Sequence, residues 1–279
     1  MIEAPEAKFL SEQLNSTIKG KVITDIIVKQ TPHKFAFFHG NPDDYVELLM
    51  GKKVGSSRSV GGMVEITLDD VKLAFTDGAN LRYYAPGEKL PPKHQLLIGF
   101  EDQSCIVVSI RMYGGILGFR PGNYEGGMFP YYNAACEKPQ VMSDAFSKDY
   151  FLNLINDESV RKKSAKAFLA TEQTVPGLGN GVLQDILYNA RIHPKTKVSA
   201  LTGEQKENLF CCVKNTMQEM YEQKGRNTET DLFGSNGKYV PFLSKDTAGK
   251  ECPRCGGTIK KENYLGGSIY YCDECQVIE

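Results

Sequence analysis

Four cysteines near the C-terminus have the spacing of a metal site. Cys252 and Cys255 form one C-x2-C pair, and Cys272 and Cys275 form a second pair after sixteen intervening residues. Two such pairs supply four thiolates to one tetrahedral ion in zinc ribbons. Because four protein ligands fill the coordination shell, we expect one structural Zn²⁺ and not a catalytic metal. The iron of a rubredoxin-like site needs the same spacing, and the sequence leaves that alternative open.

A glycine-rich turn stands directly before a predicted helix. Val175–Gly181 reads VPGLGNG and is followed by the amphipathic run VLQDILYNARIHP. Glycines let the backbone approach a phosphate closely, and the N–H groups of a first helical turn attract anions. Asn180 is a preferred N-cap residue and a hydrogen-bond donor. In isolation, such a turn is more often a tight helix–helix connection, and Lys162, Lys163 and Lys166, predicted on the preceding helix, add positive charge that supports phosphate binding as the alternative.

Composition sets limits on the class of protein. The chain has 279 residues, a formal net charge of −1 and 41% hydrophobic residues. These values predict a folded protein and exclude a global positive field that would attract nucleic acid without local sites. The N-terminus lacks the apolar stretch of a signal peptide, and no run approaches the roughly 18 apolar residues of a membrane span. We therefore predict a soluble, cytoplasmic protein whose paired cysteines bind metal and form no disulfides.

The hydrophobic pattern changes along the chain from β-rich to helical. A first helix is predicted over Glu6–Ile18. Predicted strands follow at Val22–Val28, Met63–Leu68, Lys72–Thr76, His94–Phe100 and Cys105–Met112, as in an antiparallel sandwich or barrel. Predicted helices are Asp149–Asn156, Arg161–Thr171, Gly181–Ala190 and Thr202–Gln223. The turn-forming stretch PGNYEGGMFPYYN separates the two patterns, so we predict a β domain at 1–130, a helical domain at 131–250 and a ribbon at 251–279.

These motifs together resemble one family over nearly the whole chain. They are the opening M-x-E-x-P-E, R-M-Y-G at Arg111–Gly114, PGLGNGVLQDILYNARIHP at 176–194 and the ending YYCDECQ of the four-cysteine unit. The combination resembles the formamidopyrimidine-DNA glycosylase/endonuclease VIII family, which excises oxidised bases from duplex DNA and cleaves the strand at the abasic sugar. The resemblance implies an α+β fold, with an N-terminal two-sheet β-sandwich carrying a helix and a C-terminal helical domain carrying a helix–two-turn–helix and a zinc ribbon.

The resemblance also implies roles for residues in a DNA-binding cleft between these two domains. Asn180 and the Gly179 turn would clamp a phosphate. Lys162, chosen for its positive charge near this turn, is a further candidate DNA contact. Arg111 and Tyr113 stand where the family places the arginine and the aromatic residue that fill the gap left by an extruded nucleotide and contact the orphaned base.

The reactive N-terminus departs from the family pattern. The family's nucleophile is the amine of a proline that is exposed when the initiator methionine is removed, and here that position is Ile2. A bulky second residue ordinarily prevents removal of the methionine, so we expect the free amine on Met1, up to about 3.6 Å beyond the family's position. Glu3 stands at the place of the family's general acid/base, which opens the deoxyribose ring.

Three further DNA contacts of the family are missing. By our alignment the phosphate-binding lysine falls at Gly62, and the base-stack wedge, a methionine in the family, falls near Asp77. A carboxylate at that position would repel phosphate instead of intercalating. The phosphate-binding arginine of the ribbon hairpin falls at Gly267. Together with Ile2, these changes predict reduced, altered or lost excision.

We therefore predict a monomeric protein that binds damaged or abasic double-stranded DNA in the nucleoid, with no membrane partner. Whether it is an enzyme stays open at this stage. One alternative is an active glycosylase/AP lyase that uses the amine of Met1, or of Ile2 if Met1 is cleaved, together with Glu3. Another is an RNA-binding protein that shares only the zinc ribbon.

Overall fold

A computed structural model describes residues 1–76, 78–122 and 130–278 of the chain. The helices of the first part are α1 (Ala4–Thr17) and the short α2 (Tyr45–Leu49). Its strands are β1 (Ile23–Val28), β2 (Ala36–Phe38), β3 (Val54–Val60), β4 (Met63–Leu68), β5 (Val71–Phe75), β6 (Ala79–Tyr84), β7 (Leu96–Phe100), β8 (Cys105–Ile110) and β9 (Gly114–Phe119).

These strands form two sheets. Within the described residues one sheet has the order β1-β7-β8-β6, and the other has the order β2-β9-β5-β4-β3. The pairs are antiparallel except for β2 and β9, which run parallel with Ala36 beside Gly114. Neither of these two strands was among the predicted ones, and the pairs between predicted strands are antiparallel as expected. Because β2 and β9 are far apart in sequence, no short hairpin fixes their relative direction.

The second part of the chain is helical and ends in a β-hairpin. Its helices are α3 (Pro130–Glu137), α4 (Lys148–Asn156), α5 (Ala165–Ala170), α6 (Asn180–Ala190) and α7 (Gly203–Glu222), and its hairpin consists of β10 (Ile259–Tyr264) and β11 (Gly267–Cys272). Among the described helices, none is long and apolar enough to cross a membrane.

Two helix starts differ from the prediction. α5 begins only at Ala165 because the Ser164 side chain accepts the N–H of Ala167 and caps the helix there. Lys162 and Lys163 consequently lie in the turn before α5. The N-cap of α6 is Gly179, and Asn180, which we expected as the cap, is the first helical residue.

α1 joins the two parts of the molecule. Leu10 and Leu14 are buried in a hydrophobic cluster that fills the space between the two sheets. Ala4, at the start of the same helix, belongs to a second cluster that is built from the helices α4 to α7. The first residues of the chain are therefore located at the junction of the sandwich and the helices.

Glycines allow a close backbone approach at this junction. Gly177 has φ +82°, and a Cβ on it would lie 2.4 Å from the carbonyl carbon of Gly61. The Ala4 N–H donates to the Gly177 carbonyl at 2.9 Å. A side chain at Gly177 would force the β3–β4 turn and the loop before α6 apart, so this approach fixes the N-terminus against that loop.

Candidate active site and nucleic-acid interface

Two cavities lie on either side of the N-terminus. The larger one, of about 560 Å³, is lined by Met1, Ile2, Glu3, Tyr113, Gly179 and Asn180 among others. The smaller one, of about 230 Å³, is lined by Met1, Glu6, Asn80, Arg111, Glu229 and Thr230 among others. Met1 contributes to both walls, so the chain's α-amino group is placed where a bound molecule could reach it.

The carboxylate of Glu3 caps α6. It accepts hydrogen bonds from the N–H groups of Gly179 at 3.2 Å, Gly181 at 2.8 Å and Val182 at 2.8 Å. A fourth donor, Nη1 of Arg226, lies 3.3 Å from Oε1. The N–H groups that form an anion site at a helix N-terminus thus bind a carboxylate of the protein itself. A DNA phosphate here would have to bind through other groups of the loop.

Glu3, Glu6 and Arg226 form a buried triad. Arg226 donates from Nε to Oε1 of Glu6 at 2.9 Å and from Nη2 to Oε2 at 3.1 Å. Burial raises the pKa of Glu3, and the Arg226 guanidinium offsets only part of this effect. For Glu6, burial is outweighed by Arg226, which holds the pKa of that carboxyl below its ordinary value. The guanidinium therefore pairs mainly with Glu6 and leaves Glu3 without a full counter-charge.

Both polar backbone groups of Met1 are bound by charged side chains. Its α-amino nitrogen lies 2.7 Å from Oε2 of Glu229, and its carbonyl oxygen accepts Nη2 of Arg226 at 2.9 Å. Arg226 and Glu229 both belong to the segment GRNTETDL at 225–232. Sequence reasoning assigned no role to either residue. The charges of Arg226 and Glu229 were the sequence feature that could have indicated a role in the site.

The β8–β9 turn brings two of the predicted DNA contacts to the cavities. Arg111 is exposed, and its Nη2 lies 3.4 Å from Oδ1 of Asn80 and 3.3 Å from Oγ1 of Thr230. Tyr113 is 43% exposed and lines the larger cavity. Between them, Met112 is 65% exposed. The turn thus presents a cation and an aromatic ring beside the N-terminus.

Asn180 connects α6 to the terminal hairpin. Its Nδ2 donates to the Ser268 carbonyl at 2.9 Å, and Lys166 Nζ donates to the Tyr264 carbonyl at 2.5 Å. A Cβ on Gly267 would lie 3.4 Å from Lys166 Nζ and 3.6 Å from Asn180 Nδ2. Asn180 therefore contacts the hairpin and lines the larger cavity together with Gly179, whereas Lys162 is exposed in the turn before α5.

The four cysteines of the two C-x2-C pairs come together as a cluster. Their sulfur atoms all lie within 4.8 Å of one another. The Sγ atoms of Cys252 and Cys275 are 3.8 Å apart, and those of Cys255 and Cys272 are 3.4 Å apart. Four sulfurs at zinc–sulfur distances of about 2.3 Å are separated by roughly 3.8 Å around a tetrahedron. The donor set and its geometry therefore fit one metal ion.

Comparisons with known proteins agree with this arrangement. Residues 138–231 match the family profile described as the formamidopyrimidine-DNA glycosylase H2TH domain, the helix–two-turn–helix. The chain is 26% identical to the formamidopyrimidine-DNA glycosylase of Lactobacillus johnsonii over 309 aligned positions, which cover 100% of this chain and 99% of that protein. It is also 26% identical to the enzyme of the same name from Cytobacillus firmus, with 99% and 100% covered. These findings confirm the resemblance of the chain to the formamidopyrimidine-DNA glycosylase/endonuclease VIII family.

Solved structures of the family have the same fold. The Lactococcus lactis protein Fpg, in complex with DNA that contains an abasic site, superimposes with a TM-score of 0.81 at 22% identity and covers 98% of this chain and 99% of that chain. The MutM (Fpg) protein of Thermus thermophilus gives a TM-score of 0.79 at 20% identity, with 99% of both chains covered. The predicted α+β fold class is confirmed.

Four positions were expected to depart from the family pattern, and one of them, Gly267, lies in the hairpin beside Lys166 and Asn180. Ile2 is buried in the cluster between the sheets. Gly62 touches the N-terminus, because a Cβ on it would lie 3.4 Å from Cα of Glu3 and from the Ile2 carbonyl oxygen. Asp77, the predicted wedge position, is outside the described residues, as is 123–129, which carries part of the predicted domain boundary.

Proposed function

We propose that the protein binds duplex DNA at an abasic or damaged nucleotide, as a member of the base-excision repair glycosylases. The observation that carries this proposal is the cavity of about 560 Å³ whose wall combines the chain's first residues with Tyr113 and Asn180. A cavity of this size accommodates a nucleotide that has been extruded from the base stack. The Lactococcus lactis relative, which was solved with abasic-site DNA, has the same fold.

The side chains divide into two groups of proposed contacts. Arg111 and Tyr113, on the β8–β9 turn, enter the gap that an extruded nucleotide leaves in the duplex. Asn180 and Lys162 bind the backbone phosphates on the helical side, where Gly179 lets the loop approach the DNA closely, and these contacts position the DNA without reading its sequence. One protomer carries both groups, so a monomer suffices to bind the duplex.

Equilibrium binding tests this function. We expect at least about tenfold tighter binding to a duplex with a tetrahydrofuran abasic analogue than to the undamaged duplex, with both affinities decreasing as salt rises. Asn180→Ala should weaken binding to the abasic duplex about tenfold. Asn208→Ala is a matched control, because Asn208 also donates to a backbone carbonyl, that of Ala190, but does so on α7. Equal affinity of the wild type for the two duplexes would contradict the proposal.

Excision of a damaged base is proposed to be weak. The proline amine of the family is replaced by the primary amine of Met1. In addition, both carboxylate oxygens of Glu3 already accept hydrogen bonds, from four donors in total. A general acid/base must be free to exchange a proton with the sugar, so Glu3 would first have to leave the start of α6. We expect excision of an oxidised base to be much slower than chemistry on a preformed abasic site.

A second candidate function is imine chemistry at an abasic site, and the position of the Met1 amine favours it. Primary amines attack aldehydes to form imines, and the open form of an abasic sugar presents an aldehyde at C1′. Incubation of the protein with abasic duplex and sodium borohydride should yield a covalent adduct. A variant with one glycine added before Met1 moves the amine by up to about 3.6 Å and should lose most of the adduct. An unchanged yield from that variant would show that another amine reacts.

The cysteine cluster is proposed to hold one structural zinc ion. Four cysteine ligands leave no position for substrate, so the ion would stabilise the hairpin against α6 and take no part in the reaction. Metal analysis should find one zinc per chain, and Cys252→Ser or Cys275→Ser should release it and unfold the ribbon, because a structural ion contributes its binding energy to folding. Cys211→Ser, an exposed position on α7, is the control. One iron per chain would contradict the assignment to zinc.

A further inference from the structure

We propose that Glu229 is a catalytic residue that accepts the proton of the Met1 ammonium group and returns it to the oxygen of the abasic sugar. This inference rests on the imine chemistry proposed above and assigns its proton transfers to a residue of the segment 225–232. The family pattern would place such an acid/base role on Glu3.

Direct contact is the first observation. Oε2 of Glu229 lies 2.7 Å from the Met1 nitrogen, and the two side chains are 18% and 38% exposed. The pair is therefore neither sealed in the core nor fully solvated. A carboxylate at this distance is within hydrogen-bond reach of the proton that must leave before the amine can attack.

The second observation is that the other two carboxylates near Met1 already accept hydrogen bonds from several donors. Glu3 accepts three backbone N–H groups and Arg226. Glu6 accepts the N–H of Glu3 as well as three donors of Arg226. Both are held in the buried triad, whereas Glu229 is paired with the Met1 amine and borders a cavity.

The fixed backbone of Glu229 is the third observation. Its N–H donates to the Arg226 carbonyl at 3.0 Å, and its carbonyl accepts the N–H of Gly237 at 3.0 Å. The next residue, Thr230, donates from Oγ1 to Oδ1 of Asn80 at 3.0 Å. Because the backbone of Glu229 and the residue after it are anchored, the carboxylate is positioned before substrate arrives, as proton transfer in a site requires.

Atoms and charges balance in the proposed step. The Met1 ammonium gives one proton to Glu229 and becomes a neutral amine. The amine lone pair forms a bond to C1′, the carbonyl electron pair moves to oxygen, and transfer of the amine's proton to that oxygen gives a carbinolamine. Glu229 then protonates the hydroxyl group, which leaves as water. The products are a protonated imine between Met1 and C1′, one water molecule and the regenerated Glu229 carboxylate.

Single-turnover trapping with Glu229→Gln tests the role. Glutamine can still accept a hydrogen bond from the amine but cannot take its proton, so the variant keeps the position and loses the transfer. We expect the rate of borohydride-trapped adduct formation on abasic duplex to fall at least about tenfold. The affinity for the tetrahydrofuran duplex, which forms no imine, should stay within about twofold of the wild type. Glu229→Ala should be as slow as Glu229→Gln.

Glu222→Gln is the control, because it removes the same charge from an exposed position at the end of α7. It should form the trapped adduct at the wild-type rate. A Glu229→Gln rate equal to or above that of the wild type would overturn the proposal, because Glu229 would then be dispensable or inhibitory. If the wild-type protein forms no adduct at all, both this proposal and the Met1 chemistry are wrong. The DNA-binding function would still hold in that case if the protein binds the tetrahydrofuran duplex more tightly than the undamaged one.

Discussion

Two clusters of charged side chains, each built around a buried carboxylate, differ in their balance of charge. In one cluster, Glu65 on β4 pairs with Arg58 Nε at 2.8 Å and Lys72 Nζ at 2.9 Å and also accepts the hydroxyl of Tyr132. It therefore has one carboxylate and two cations. The triad at the N-terminus has two carboxylates, Glu3 and Glu6, and one guanidinium.

The balance of charge changes the direction of the pKa shifts. Burial would raise the pKa of Glu65, but Arg58, Tyr132 and Lys72 outweigh it and hold the pKa below its ordinary value. The pKa of Glu3 is raised, because burial dominates there. The triad lies beside Met1, whose carbonyl accepts Nη2 of Arg226. A buried carboxylate with a raised pKa next to a cavity is typical of a functional site.

The largest expected effect comes from removing the guanidinium of the triad. Arg226→Met leaves two buried carboxylates without a counter-charge and should lower the free energy of unfolding by about 3–5 kcal/mol. It should also free the Met1 carbonyl, to which Arg226 donates. Urea unfolding at neutral pH measures the first effect. A loss below about 1 kcal/mol would show that the triad carries little of the junction's stability.

A smaller effect is expected from the matching change in the balanced cluster. The Arg58 side chain is 61% exposed, and Lys72 and Tyr132 stay with Glu65 when Arg58 is removed. Solvent screens an exposed pair, so Arg58→Met should cost about 1 kcal/mol or less. The same urea experiment compares the two variants. If Arg58→Met proves as costly as Arg226→Met, charge balance does not distinguish the clusters.

The smallest effect is a difference in pH dependence. The lowered pKa of Glu65 contributes stability that is present above its ordinary value of 4.5 and is lost as pH falls through the lower value of the folded state. The advantage of the wild type over Glu65→Gln should therefore shrink in acid. For Glu3, whose pKa is raised, the sign reverses, and the stability of the wild type relative to Glu3→Gln should grow as pH falls towards 4.5. Unfolding free energies measured from pH 7 to about pH 3 test both signs, because the contribution of Glu65 is lost only below 4.5. Parallel curves would contradict the account.

Short-range patterns were enough to predict part of the fold. The cysteine pairs and the amphipathic runs of α6 and α7 were found because their spacing is local. β9 was missed because GGILGF has three glycines and no alternation, and its burial depends on tertiary packing. A Cβ on Gly118 would lie 2.9 Å from the Tyr45 ring, so this strand needs glycine where the ring covers it.

The contacts around Met1 could not be predicted from local spacing. Glu229 and Arg226 reach the N-terminus from the far end of the chain, and nothing in the sequence near Met1 indicates them. The one-residue error at the start of α6 has the same cause. Asn180 was expected to cap the helix, but the acceptor for the first N–H groups is the distant Glu3. Long-range pairs of this kind decide the chemistry of the site here.

The central claim is that the first nitrogen of the chain is the group that reacts at an abasic site. Peptide mapping of the borohydride-trapped complex by mass spectrometry tests it most directly. The account predicts that the sugar adduct is carried by the N-terminal peptide, on the α-amino group of Met1. An adduct on a lysine, such as Lys166 beside the hairpin, would contradict it.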